Sequence, residues 1–384
     1  MNKKRLIILI SAAAAVLIAA ITITCTLVGN KTCKIGMYGL SEEVTQAISE
    51  EITKSYPDNT KIEILDSTKP LAPRDAKKYN LIFTMKGATT TAIAEKLKPF
   101  PEEVYNLMPS NIGAAGKING ENLVLPVLLD HWEIAYYRTY REQCKLGIPQ
   151  IDDHLKLYLE MIKDKAIFPL YLAGADDETL LGFISLVAES MMTKEAYNQL
   201  LTDMYMTAEY DKPLPESLMP VMEKIQEMVE NQYIYRKWYE NTTADLDFAM
   251  KEHKVGSIVT SLSNHRKMPF VIIKYYDSFM YPKASPDSTG IVAPMICAVM
   301  PKDKGNASQI AQSLVHTDQQ TSLSDATKLA PVNSRAQSHD MQADDVRFMA
   351  ASTSGPEPSI IEGSCSSPAA VKKLAEQIRA YLQK

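Results

Sequence analysis

At 384 residues, 46% of them hydrophobic, the chain is longer than one apolar core ordinarily serves, so two lobes are expected. Its 41 basic and 46 acidic residues are well mixed and sum to a net charge of −5, with no Lys/Arg block beyond the N-terminus, which speaks against nucleic acid as a partner. The six histidines show no H-x-x-x-H or H-E-x-x-H spacing and the five cysteines no C-x-x-C, and neither a G-x-S-x-G elbow nor a phosphate-binding glycine loop is present, so no metal, no cofactor and no catalytic site are expected.

The chain opens on MNKKR and an uncharged run from Leu6 to Thr24, a basic start followed by an apolar stretch near the roughly 20 residues that cross a bilayer core. Residues 1–33 are therefore read as an export signal or a membrane anchor. Cys25 ends the run and is the candidate for lipid modification, while Thr24 stands where Gly, Ala or Ser usually precedes a lipidated cysteine, which keeps a retained anchor and ordinary cleavage open beside it. Each alternative places the rest of the chain outside the cytoplasm, at the cell surface or in a periplasm. Cys33, Cys144, Cys297 and Cys365 are scattered, readable as disulfide partners or as buried thiols.

Residues 33–38 read as a strand. Ser41 then offers an N-cap, Glu42 and Glu43 a favourable first turn, and Val44, Ile48 and Ile52 one apolar helical face. The alternating segment KIEILD, residues 61–66, completes a βαβ unit with parallel strands. Ligands in such sheets sit outside the strands' carboxyl ends, which puts Tyr38, Gly39 and Ser41 at a cleft edge, and a strand over 79–84 delivers Lys86 and Thr89 to the same rim. Residues 123–148, LVLPVLLDHWEIAYYRTYREQCKLGI, follow as an apolar strand, a polar break at Asp130 and His131, an aromatic strand and a charged helix. Two strands with almost no turn between them suit a chain leaving one sheet for another, with Asp130 and Trp132 beside the gap; Trp132 is readable as a ligand contact or as core.

Long helices are expected over 151–164, 177–191, 193–209 and 214–239, with a strand at 167–172. That strand's end brings Asp176 and Asp177 to the ligand face of a second lobe, unless the two simply cap the next helix. A strand over 256–262 gives way to Ser263 and Asn264. Residues 290–302 read as a return crossover, and 351–368 as a loop in which Glu357 and Glu362 are either cleft contacts or solvated acids. Ser367 and Pro368 then open a last helix with Val371, Leu374, Ile378 and Tyr381 on one face.

The Pro126-led strand, the Tyr136-Tyr137 step, the Leu146-Gly147-Ile148 exit and the late segment DQQTSLSDATKLAPV at 318–332 resemble the family 1, maltose-binding-like solute-binding proteins of ABC importers. The resemblance implies an α/β, two-lobed periplasmic-binding-protein-like fold with an interlobe cleft and three hinge crossings. It places lobe one at 34–130 plus 294–331 and lobe two at 134–289 plus 335–384. It implies a carbohydrate-like solute closed upon by hinge motion and passed to ABC permease subunits, with a surface sensor or adhesin on the same fold as the alternative. No Trp stands at 262–264, where family members often stack one on a sugar ring.

Overall fold

The computed structural model describes residues 32–384; residues 1–31, with Cys25 and nearly all of the expected export segment, lie outside them. The chain begins with β1 (Cys33–Met37) and α1 (Glu42–Ser55). Ser41 is extended and its side chain accepts from the Val44 N–H, while Val44, Ala47, Ile48 and Ile52 turn inward. Then come β2 (Thr60–Ile64), β3 (Leu81–Met85), α2 (Ala88–Ile93) and β4 (Val124–Leu129). After Asp130 and His131 the chain enters β5 (Trp132–Tyr137), and continues through α3 (Asp152–Ile162), β6 (Phe168–Tyr171), α4 (Asp177–Met191), α5 (Lys194–Tyr210), α6 (Met219–Glu230) and α7 (Thr243–Lys251). The second half adds β7 (Val255–Ser261), α8 (Leu262–Lys267), β8 (Tyr276–Phe279), β9 (Ile291–Val292), β10 (Met295–Val299), α9 (Thr317–Thr327) and β11 (Ala330–Pro331). It closes with α10 (Met341–Ser352), β12 (Pro356–Glu357), α11 (Ile360–Ser364) and α12 (Pro368–Leu382).

Two sheets result. The first runs β11-β4-β10-β3-β1-β2, with β1 parallel to both β2 and β3 as the βαβ reading requires and β10 antiparallel to both neighbours; the second runs β6-β7-β5-β8. Every residue of β4 and β10 is buried, which is why both read as unbroken apolar runs. Each sheet has its own core: Ile35, Phe83, Leu125 and Val299 in the first, Tyr136, Tyr158, Phe183 and Trp238 in the second. The helix expected over 214–239 stops at Glu230, because Gln232 takes a left-handed backbone (φ 62°) and the chain turns to lay Ile234 beside Leu170.

The three crossings lie side by side. The Asp130 N–H donates to the Pro294 carbonyl (2.8 Å), tying the first crossing to the second, and β12 pairs in parallel with β9 to tie the third to it. The third crossing falls at 353–359 rather than at 331–335. Residues 335–352 belong with the first lobe, since Ala343, Val346 and Ala350 of α10 are part of the first core and Arg347 donates to the Asn333 (2.6 Å) and Ala336 (2.5 Å) carbonyls.

Candidate functional site: the interlobe cleft

Between the lobes lies a cleft of about 990 Å³. The first lobe contributes the β1-to-α1 turn, Tyr38 to Ser41, together with Ser67, Thr84 and Thr89. The second contributes the start of α4, the start of α8 and the segment around α11, and Asp130, Trp132 and Pro294 of the crossings form the floor. Gly39 has φ 64°, a left-handed backbone that lets the chain leave β1 and enter α1 in a tight turn at the cleft edge.

Tyr38, Gly39, Ser41, Asp130, Trp132, Asp176, Asp177, Ser263 and Asn264 all line this cleft. Lys86 does not. Its backbone N–H is spent on the Met295 carbonyl (2.9 Å), and its half-buried side chain lies near Glu357 and Cys297; burial lowers its pKa and the Glu357 charge opposes that. The chain turns at Gly87, where φ is 151° and an added Cβ would meet the Glu362 carbonyl, and this turn sends Lys86 behind the rim while Thr89 stays on it.

Several lining groups are already committed to the protein. Asp130 accepts from the His131 N–H (2.8 Å), the Ser263 N–H (3.1 Å) and the Ser263 hydroxyl (2.6 Å), so it fastens α8 to the first crossing. Burial pushes its pKa up and the Ser263 bonds hold it back. Trp132 is 5% exposed: alternation along β5 turns Trp132, Ile134 and Tyr136 toward α4, where Gly182 leaves room for the indole, and one edge reaches the cleft. Asp176 precedes α4 yet caps a different helix, accepting from the N–H (2.6 Å) and hydroxyl of Thr243 at the start of α7. Asp177 is paired with Arg379 of α12 (2.7 Å).

Glu362 also lines the cleft. The stretch Ser359-Ile360-Ile361-Glu362 is a capping box, a pattern legible in the sequence, and Glu362 accepts from the Ser359 N–H (3.2 Å) and hydroxyl. Burial pushes this carboxyl up to about 7, with the Asp130 charge adding to the rise. Glu357, by contrast, is neither a cleft contact nor solvated; it is buried against Lys194 (2.7 Å) and Asn198 (3.2 Å). The four described cysteines are buried free thiols, and burial raises Cys33 to about 11 and Cys297 and Cys365 to about 12.

The balance of charge around the cleft is acidic. Asp130, Asp176, Asp177, Glu178 and Glu362 line it, against Lys267, whose ammonium lies 3.1 Å from Glu43. Its two lining aromatics, Tyr38 and Trp132, are 4% and 5% exposed, so neither presents an open ring face. What the walls offer is hydroxyls, carboxylate oxygens and backbone polar groups.

No protein-family model matches this sequence, and no curated protein matches it. Solved structures do match in three dimensions. The bacterial solute receptor AcbH, described as exclusive for β-D-galactopyranose, superposes with a TM-score of 0.72 at 11% identity, covering 92% of this chain and 98% of its own. The fold is that of the bacterial solute receptors. MsmE of Bacillus subtilis, a binding protein in an open conformation, matches with a TM-score of 0.68 at 13% identity over 92% of this chain and 96% of its own. A sugar transporter protein of Bacillus licheniformis in complex with stachyose matches at 0.58 and 14%, over 91% and 98%. The solute-receptor fold thus spans the described chain from β1 to α12.

Proposed function

We propose that this protein is the extracytoplasmic solute-binding component of an ABC importer and that its solute is a neutral, hydroxyl-rich molecule of the carbohydrate class. The observation that carries this reading is the cleft itself: a cavity between two lobes joined by three adjacent crossings, lined by hydroxyls and carboxylates without an uncommitted cation among the described lining residues. A sugar's hydroxyls donate to such carboxylates, whereas a sugar phosphate or uronic acid would meet like charge. The sugar ligands of AcbH and of the Bacillus licheniformis protein support the same class. The chemistry is binding, with no bond made or broken. Hinge closure buries the solute, and the closed receptor hands it to permease subunits. The N-terminal run holds the receptor at the membrane, through lipid on Cys25 or as a retained anchor.

A thermal-shift screen of residues 32–384 tests the reading, using neutral mono- and oligosaccharides, polyols, sugar phosphates, uronic acids and peptides. A neutral sugar at about 100 times its Kd is expected to stabilise the native state by roughly 2.7 kcal/mol. Stabilisation by peptides or anionic sugars alone would overturn the assignment.

A further inference from the structure

A second cavity, of about 260 Å³, adjoins the cleft, and Thr89 and Ser366 line both and mark their boundary. Its first-lobe wall is Pro70 and Leu71 on one loop and Ala92 one turn beyond Thr89 on α2. The Tyr38 hydroxyl donates to the Lys69 carbonyl (2.8 Å) and reaches the Ser366 carbonyl (3.3 Å), which ties that loop to the second lobe. The opposite wall is the end of α5, with Tyr205, Glu209 and Tyr210. The helix stops as Asp211 takes a left-handed backbone (φ 57°), and Tyr210 is left 59% exposed with its ring 6.1 Å from that of Tyr205, edge to face. Glu209 accepts from the Ser366 N–H (2.9 Å) and hydroxyl (2.6 Å) on one oxygen, Oε1, so its Oε2 has no donor among the described residues.

We propose that this side pocket is a further binding subsite, which takes a terminal pyranose ring of an oligosaccharide whose other rings lie in the cleft. Its volume falls below the roughly 300 Å³ at which sites for whole small molecules begin, so it suits one part of a longer solute rather than a solute of its own. The two cavities complement each other in chemistry. The cleft offers hydroxyls and carboxylates but no open ring face, whereas the side pocket offers the Tyr210 ring to the apolar C–H face of a pyranose and Glu209 Oε2 to its hydroxyls. Pro70, Leu71 and Ala92 face the ring from the other lobe. The solute is then a chain long enough to cross the boundary between Thr89 and Ser366. This inference rests on the carbohydrate reading of the cleft and adds to it a requirement of length.

Calorimetric titration of residues 32–384 with two series of rising chain length tests it: galactose, raffinose and stachyose, then glucose, maltose, maltotriose and maltotetraose. Wild type is expected to bind the longest member of one series at least about tenfold more tightly than the shortest that binds. Tyr210→Ala removes the exposed ring, and Ala92→Trp fills the pocket from an exposed position; neither residue lines the cleft. Each change is expected to weaken the longest member about five- to tenfold and to leave the shortest unchanged. Equal affinity for long and short members in wild type would overturn the subsite. So would variants that unfold cooperatively and either bind the longest member as wild type does or weaken all members alike. Heat from no member of either series would instead overturn the carbohydrate reading itself, so the two failures are distinguishable.

Discussion

Glu362 combines the two pressures that shape individual side chains in this cleft, burial and a neighbouring carboxylate. Its pKa, raised from the ordinary 4.5 to about 7, means that the folded state binds this proton more tightly than the unfolded chain does. Stability from that proton is fully present below about pH 4.5 and is lost as pH rises through about 7. Glu362→Gln removes the titration, so its melting temperature relative to wild type is expected to rise between pH 5 and pH 8 in parallel thermal scans; a pH-independent difference would contradict the shift. Glu133 has the opposite sign: burial raises it, but the bond from His265 (2.7 Å) and the nearby His131 ring (3.5 Å) outweigh that and hold it at about 2, so its contribution is present above about pH 4.5 and is lost as pH falls toward 2. The sequence could place Asp176 and Asp177 at a strand end but not their partners, because Thr243 and Arg379 lie 67 and 202 residues away along the chain. Lys86 lies off the cleft lining for a related reason. At the Gly87 turn the chain passes against the Glu362 carbonyl, a distant contact that nothing local encodes.

At the scale of elements, the βαβ start, the strand pair at 124–137 and the last helix were legible because their patterns are strong: a capped amphipathic face in α1, a continuous apolar run in β4 followed by the aromatic-rich β5, and Ser367-Pro368 opening α12. Helix α10 was not. Its buried stripe is Ala343, Val346, Ala350 and the charged Arg347, too small and too polar to register as an apolar face. Without that helix, the sequence pattern puts the third crossing at 331–335, about 20 residues before the 353–359 of the structure. Arg347 is buried, and it anchors α10 through the Asn333 and Ala336 carbonyls and through Asp344 (3.2 Å). Truncating it leaves those acceptors unpaired, so Arg347→Ala is expected to cost about 2–4 kcal/mol in denaturant unfolding. A loss below about 0.5 kcal/mol would mean that the helix is held by its apolar stripe alone.

For the whole molecule, separate packing in each lobe and three adjacent crossings are the features on which the proposed closure rests, since each lobe keeps its own core residues while only the crossings need bend. The cleft between them takes its character from side chains that hold the protein together as well as line it, Asp130 at the hinge and Asp177 with Arg379 among them. The proposed class of solute rests on that chemistry. Calorimetric titration of residues 32–384 with the best neutral sugar of the screen tests it most directly. The expected result is one site per chain with a Kd of about 10 μM or tighter, abolished by Ser67→Trp, which fills the cleft from a loop of the first lobe while unfolding stays cooperative. Undiminished binding in Ser67→Trp, or no heat from any neutral sugar, would contradict the assignment of this cleft as a carbohydrate site.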